Sequence, residues 1–364
     1  MQTYLNSQMK KNLKTLLTKG NRITLNFLGM IFLSTLLSSC QKNKYPWEPG
    51  ISAPKYYPVG DVKIDFGNAG HGSLTNFDNG WGNEYGGVVS GEKIKDIPKE
   101  VYIHYISAAE NLQYNGKVQL PQEKIIRLFQ EYNINNKNFA HLVVGMAPGG
   151  WIRVWFTTID KQIEVAKAKL IGTEDNTLGE GFRYKKSEYW KKYKDYWQHH
   201  GIPNEAWTNN EKEYYYDIKF VSKNKESKLD RSYVVSADGW YSSFYTEKQS
   251  DDINDINNNG YKGKIPVHLS VSWQDKTTGH YYDTNIVMPK MLKNLFDKTY
   301  QANGKYAYSN FIIELENDKH HATVYLKTKD EMIKLLRFKG EFSSKESQDF
   351  GDYAYAKEIE YFIK

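Results

Sequence analysis

Residues 139–157 read FAHLVVGMAPGGWIRVWFT, in which two mainly apolar runs flank the segment Ala147-Pro148-Gly149-Gly150. Proline and glycine at adjacent positions are typical of a tight turn, and each apolar run has the length of a β-strand. The pattern therefore predicts a β-hairpin. A second hairpin is predicted where residues 311–315 and 321–327 flank a polar turn.

Features outside the hairpins recur at a constant separation along the chain. Pro98 and Pro266 each open a strand-like segment and lie 168 positions apart. Pro121 and Pro289 are also 168 positions apart, and each precedes a segment with apolar residues at helical spacing. Matching features in the same order indicate two copies of one structural unit.

The sequence therefore predicts an α+β fold, with two tandem similar units of antiparallel sheet and packed short helices at residues 56–207 and 208–364. Residues 61–66 alternate between apolar and polar side chains, as a half-buried strand does. Asp160 and Asp330 occupy matching positions and are expected to cap short helices.

Residues 187–198 are predicted to form a helix that links the two units. Its tyrosines and tryptophans recur at helical spacing and form one stripe. We interpret the stripe as a face that packs on the first unit, because aromatic stripes usually contribute to cores. The alternative is a stacking platform for a sugar or a partner.

The N-terminus has the features of a bacterial lipoprotein signal. Five basic residues precede an apolar run, Ile23 to Leu37, that is short for a membrane span. The run ends in Leu37-Ser38-Ser39-Cys40, which resembles a lipobox. We predict that residues 1–39 are removed, that Cys40 is acylated, and that the proline-rich residues 40–55 form a tether above the bilayer.

The charge of the chain argues against a nucleic-acid partner. The formal net charge is +6, and residues 1–39 contribute five lysines and arginines with no acidic residue. The mature chain therefore carries +1, whereas nucleic-acid binding usually requires a clear excess of basic residues.

Two motifs suggest a family. These are Gly145-Met-Ala-Pro-Gly-Gly-Trp-Ile-Arg-Val-Trp155 and His200-Gly-Ile-Pro-Asn-Glu-Ala-Trp207. Together with the lipoprotein start, they resemble the DUF2931 family of bacterial lipoproteins of uncharacterised function. The resemblance implies no catalytic residues, and it suggests a role as an immunity partner of secreted antibacterial effectors.

The sequence contains few signs of catalysis or metal binding. It lacks the common hydrolase, phosphate-loop and zinc-helix motifs, so we predict a protein that is not an enzyme and has neither a cofactor nor a metal. Gly70-His71-Gly72-Ser73 is expected to lie in a flexible loop over residues 67–91. Asp255-Ile-Asn-Asn-Asn-Gly260 fits half of a calcium loop, but Pro266 stands where a bidentate glutamate is needed.

We therefore predict a membrane-tethered, non-enzymatic binding protein of the cell envelope, anchored in the outer membrane and facing the periplasm. Its expected partners are the lipid bilayer and a protein such as a secreted toxin, against which it would act as an immunity protein. The alternatives are a glycan-binding or glycan-processing lipoprotein and a structural component of an envelope complex. The candidate binding residues are Trp81, Trp151, Trp155, Trp207 and Trp240.

Overall fold

The computed structural model describes residues 44–83, 88–174, 188–209, 211–222, 226–244, 261–303, 308–344, 347 and 349–363. The predicted signal at residues 1–39, the predicted lipid attachment at Cys40 and the candidate calcium loop at residues 255–260 lie outside the described residues.

In the described residues, the first unit contains two sheets and one α-helix. Its elements are β1 (Lys44–Ser52), β2 (Val59–Asp65), β3 (Gly70–Phe77), β4 (Val88–Ser90), β5 (Ile94–Asp96), β6 (Glu100–Ser107), β7 (Leu112–Gln119), α1 (Gln122–Glu131), β8 (Ala140–Met146), β9 (Trp151–Thr157), β10 (Gln162–Lys169) and β11 (Gly172–Glu174). The sheet orders are β10-β9-β8-β1-β5 and β11-β7-β6-β2-β3-β4. Apolar side chains from both sheets and α1 enclose one core.

The linking helix α2 (Glu188–His200) leads to the second unit. The elements of that unit are β12 (Glu213–Ser222), β13 (Ser227–Ser236), β14 (Tyr241–Phe244), β15 (Tyr261–Lys264), β16 (Pro266–Asp275), β17 (Tyr281–Val287), α3 (Leu292–Asn303), β18 (Tyr308–Leu315), β19 (His321–Lys327), β20 (Met332–Lys339), β21 (Phe342–Ser343), β22 (Ala354–Tyr355) and β23 (Ile359–Tyr361). They form sheets in the orders β15-β12-β18-β19-β20-β23 and β14-β13-β16-β17-β21 around a second core, and β22 pairs with β17.

The two units have the same topology. The order β10-β9-β8-β1-β5 recurs as β20-β19-β18-β12-β15, and β3-β2-β6-β7-β11 recurs as β14-β13-β16-β17-β21. In the first of these sheets one pair is parallel in each unit, β1 with β8 and β12 with β18, and the other pairs are antiparallel. The predicted fold of two tandem similar units is confirmed.

The predicted hairpins and proline-led helices are present. β8 and β9 pair around the turn at residues 148–150, and α1 follows Pro121 and buries Ile125, Leu128 and Phe129 in the first core. Across the described ranges, none of the helices combines the length and the apolar character that crossing a bilayer would require.

The tether prediction is wrong for most of its length, because Lys44–Ser52 is strand β1 in the main sheet of the first unit. Trp47 and Ile51 are buried in the first core, and the burial of these apolar side chains favours the pairing of β1 with β8. Its prolines are tolerated because β1 pairs with β5 only up to Pro46 and with β8 only from Trp47, so each position has one neighbouring strand. The first unit thus begins at Lys44.

Two further local expectations are wrong. Residues 67–91 contain β3 and β4, so the Gly70-Ser73 segment lies on a strand, where its glycines do not prevent pairing with β2. The segments after Asp160 and Asp330 are strands β10 and β20 instead of helices. Thr158 and Thr328 each close a tight turn by a backbone bond to the residue three positions on, at 2.8 Å, which sends the chain back antiparallel.

Candidate functional site: a groove at the junction of the two units

The two units meet through buried aromatic side chains that we call the junction cluster. Its aromatic members are Tyr56, Tyr57, Trp81, Trp155, Trp190, Tyr193, Tyr196, Trp207 and Tyr233. They come from the first unit, from the linking segment, which is α2 and the residues between α2 and β12, and from β13 of the second unit. The cluster is separate from both cores and forms a third apolar centre. Because its members come from both units, it holds the units together.

The aromatic stripe of α2 lies in this cluster. Trp190, Tyr193 and Tyr196 are each 2% exposed. The ring of Tyr196 stacks on that of Tyr56 with centroids 4.2 Å apart, and the indole N–H of Trp197 donates to the Tyr56 carbonyl at 2.7 Å. The interpretation of the stripe as a packing face is confirmed, and these three buried rings offer no exposed platform for a sugar.

Trp207 connects the two units by hydrogen bonds at both its ends. Its indole N–H donates to the carbonyl oxygen of Asp238 in the second unit at 3.0 Å. Its own carbonyl oxygen accepts a bond from Nη2 of Arg153 in β9 at 3.1 Å. Arg153 is buried and also forms an ion pair with Glu164 of β10. The two motifs of the sequence analysis thus contact each other, which their separation of about 50 residues did not reveal.

Two Gly-Trp doublets, Gly80-Trp81 of the first unit and Gly239-Trp240 of the second, also meet at the junction. The carbonyl oxygen of Gly239 accepts hydrogen bonds from the backbone N–H groups of Lys55 at 2.9 Å and Trp81 at 3.0 Å. A doublet of each unit therefore contributes to one contact. The backbone bonds fix the orientation of the second unit on the first.

The structure brings four of the five candidate tryptophans, Trp81, Trp151, Trp155 and Trp207, to the junction cluster, whereas Trp240 packs against the second core. Trp81 and Trp155 pack edge to face with ring centroids 5.0 Å apart in the junction cluster, where Trp207 is fully buried. Trp151 is partly exposed, with the ammonium groups of Lys167 and Lys169 5.3 and 5.0 Å from its ring centre, and Trp240 is partly exposed against the second core. Since three of the five are buried, they do not form one exposed surface, and their role in binding stays a prediction.

A groove runs along the junction beside the linking segment. One part has a volume of about 560 Å³ and the adjoining part about 330 Å³. Both parts are lined by Pro203, Glu211, Ala237, Ile265 and Lys293, so they form one continuous depression. Its walls come from the linking segment, the β13–β14 turn, the start of β16 and α3. A groove of this size between two units is a common place for a ligand.

Glu211 is the distinctive group of the groove. Burial, reinforced by the negative charge of Asp238 and opposed by Lys264 and Lys293, raises the pKa of Glu211 to about 8. The carboxyl group is therefore mainly protonated at neutral pH and can donate a hydrogen bond to a ligand. Asp238 is not equivalent, because it accepts bonds from Ser236 and the Trp240 backbone and forms an ion pair with Lys264.

Two histidines that the sequence analysis did not distinguish lie deep beside the groove. Nε2 of His200 is 3.2 Å from Nδ1 of His268, and Nε2 of His268 is 3.0 Å from Oγ of Ser270. Burial lowers the pKa of His200 to about 3 and that of His268 well below its usual range. Ser270 donates to Oδ1 of Asn285 at 2.6 Å and is fully buried, as is His268. The Ser–His pair is therefore closed to a substrate in this arrangement.

One group of side chains in the described part of the chain has donor atoms close enough for a metal. Glu316, Asp318 and His321, around the β18–β19 turn, place one donor atom each within 4.8 Å of one another. Arg337 donates to both carboxylate oxygens of Glu316 at 2.7 and 2.8 Å, and Nδ1 of His321 is 2.6 Å from Asp318. These donors already hold one another by ion pairs, which accounts for the cluster without a metal.

The comparisons with known proteins give one match. Residues 34–205 match the family model described as a protein of unknown function, DUF2931. This range covers the first unit and the linking segment up to the groove, and over it the predicted resemblance is confirmed. No curated protein and no solved structure matches the chain.

Proposed function

With residues 34–205 assigned to the DUF2931 family, we propose that the chain is a lipid-anchored binding protein of the bacterial cell envelope and that the junction groove is its ligand site. The observation that carries the proposal is the position of Glu211, which lines both parts of the groove with its carboxyl group mainly protonated. The protonated carboxyl group of Glu211 offers a hydrogen-bond donor to a ligand in the groove.

The neighbouring charges define the ligand further. Lys293 is exposed on α3 and lines both parts of the groove beside Glu211. Lys212, in the larger part, is paired with Asp297 at 3.2 Å. The groove therefore suits a protein segment that presents a hydrogen-bond acceptor to Glu211 and a carboxylate to Lys293.

The proposal is a binding role without catalysis, and its specific form is immunity against a secreted effector. Occlusion of an effector requires only a complementary surface with a few well-placed anchors. The buried Ser270 and His268 support this choice over hydrolysis, since no substrate atom can reach the hydroxyl in this arrangement. The anchor is acylated Cys40 in the outer membrane, with the folded chain in the periplasm.

A competition experiment tests the groove and the immunity role together. Cells with the gene deleted are complemented with the native gene, with Ala237→Trp, which fills the groove, or with Thr173→Trp on the exposed edge strand β11. They are then grown with the effector-producing parent strain. We expect the native gene and Thr173→Trp to restore survival and Ala237→Trp to fail at equal protein level on an immunoblot. Full survival of the deletion strain would overturn the immunity role, and full rescue by Ala237→Trp would overturn the groove.

A further inference from the structure

The first unit has an exposed apolar end at the tip of the β9–β10 hairpin. Ile159 at this tip is 98% exposed, and Phe139, just before β8, is 51% exposed. The β8–β9 register ends with His141 opposite Thr157, so Phe139 before β8 and Ile159 after β9 lie at the same end of these strands. Two exposed large apolar side chains thus lie at the same end of the sheet.

The second unit has a polar residue at the corresponding position. Its β19–β20 hairpin closes with the same hydrogen bond, from the Thr328 N–H to the Glu331 carbonyl at 2.8 Å, as the Thr158 to Lys161 bond of the first. Lys329 occupies the place that Ile159 has in the first unit and is exposed. The turn therefore does not require an apolar residue, and the isoleucine is a property of the first unit alone.

The chain enters the folded body at the same end. β1 runs parallel to β8 with Trp47 opposite Ala140, so β1 begins at the end of the sheet at which Phe139 precedes β8. Only residues 41–43 separate Lys44 from Cys40. Four extended Cα steps reach at most about 14 Å. A lipid on Cys40 would therefore hold this end of the sheet close to the bilayer surface.

We propose that the end of the first unit formed by Phe139 and Ile159 inserts into the interfacial layer of the membrane that carries the Cys40 lipid. This rests on the proposed acylation of Cys40. Exposed lysines beside the two apolar residues, Lys137 and Lys161, are placed to meet lipid phosphates, as basic residues at membrane interfaces do.

Residue Ile171 supplies a matched control. It is 86% exposed in the turn after β10, whereas Ile159 lies in the turn before β10. The two positions are at opposite ends of one strand, roughly 23 Å apart at about 3.3 Å per residue. Both are surface turn positions at which a cysteine is expected to leave the fold intact.

The test uses the mature acylated protein, purified in detergent and reconstituted into phosphatidylethanolamine–phosphatidylglycerol vesicles. Ile159→Cys and Ile171→Cys are each labelled with a polarity-sensitive fluorophore, which acylated Cys40 cannot accept. We expect a blue-shifted emission and several-fold quenching by nitroxide lipids for the probe at position 159 only. Equal, water-like emission from both probes, or stronger quenching at position 171, would overturn the proposal.

The failure of the anchor itself has a different signature. If Cys40 takes up no radioactive palmitate and reacts with thiol reagents in the native protein, the proposed lipid anchor is wrong, whatever the fluorescent probes show. If Cys40 is acylated and position 159 stays in water, only the membrane-contact proposal fails. Ile159→Lys, which copies the second unit, should abolish quenching of a probe at position 139 while acylation is unchanged.

Discussion

Nη2 of Arg153 donates a hydrogen bond to the carbonyl oxygen of Trp207 at 3.1 Å, in a site where Arg153 is 2% exposed. This bond joins the central hairpin of the first unit to the segment that precedes the second unit. Since the Trp207 indole in turn donates to Asp238, the contact forms part of a continuous path between the units. We infer that the two motifs that contain Arg153 and Trp207 maintain the junction and, through it, the shape of the groove.

Arg153→Met should destabilise the chain strongly. The change removes the ion pair with Glu164 and leaves the buried Trp207 carbonyl without its donor. Breaking a buried pair of this kind costs about 3 kcal/mol in the free energy of unfolding. Denaturant unfolding followed by tryptophan fluorescence measures the loss. Arg127→Met on the exposed face of α1 is the control and should change the free energy by less than about 0.5 kcal/mol. Equal effects of the two variants would contradict the role assigned to Arg153.

Trp207→Ala should uncouple the two units. Trp207 is fully buried between them, and truncation of a buried tryptophan costs about 3–5 kcal/mol. We expect the native protein to unfold in one calorimetric transition and the variant to unfold in two, because the units keep their separate cores. Trp151→Ala, at a partly exposed site, should keep the single transition. A single, merely shifted transition for Trp207→Ala would show that the junction does not depend on this side chain.

Gly239→Ala should destabilise the junction more than Gly201→Ala does. Both glycines have a positive φ, +78° and +66°, which costs an alanine about 1–2 kcal/mol. A Cβ on Gly239 would also lie 2.5 Å from Cβ of Pro54 and 2.8 Å from the Lys55 nitrogen, whereas one on Gly201 would meet nothing within 4 Å. The difference between the two melting temperatures therefore reports the close approach of the units. Similar melting temperatures would mean that the units can separate there at little cost.

The strand patterns and the repeat were predictable because they depend on local rules. Alternation predicted the strand at residues 61–66, and the matching prolines predicted α1 and α3. The error at β1 has a physical cause. Prolines such as Pro46 and Pro49 are typical of an extended tether, but β1 has a single neighbouring strand at each position. It therefore needs fewer backbone N–H donors than a strand with a neighbour on each side.

The groove could not be predicted from the sequence. Glu211 lies in the polar run Thr208-Asn209-Asn210-Glu211-Lys212, which carries no motif, so nothing there distinguishes this acid from exposed ones. Its altered pKa arises from burial and from Asp238, which is brought near only by the fold. The tryptophans were chosen by residue type, and type alone does not separate a buried anchor such as Trp207 from a partly exposed ring such as Trp151.

Glu211→Gln should remove a pH dependence of stability. The folded pKa of Glu211, about 8, lies above its ordinary value of 4.5, so between these values the folded state binds a proton that the unfolded state has released. The free energy of unfolding must therefore fall as pH rises from about 4.5 to about 8. Glutamine resembles the protonated acid and has no proton to lose. We expect the variant to match the native protein at pH 4.5 and to be more stable by about 4 kcal/mol at pH 8.

Denaturant titrations of both proteins at several pH values measure this difference. The low pKa of His200 acts in the opposite direction, because below pH 6.5 the unfolded chain takes up a proton that the folded imidazole excludes, and stability is lost as pH falls. That contribution is common to the native protein and Glu211→Gln and cancels when they are compared at the same pH. Glu205→Gln, on an exposed residue of the same groove, is the control for the loss of a carboxylate at this surface. A pH-independent difference for Glu211→Gln would mean that this carboxyl group is ionised in the folded protein at neutral pH, and the ligand chemistry proposed for the groove would have to be abandoned.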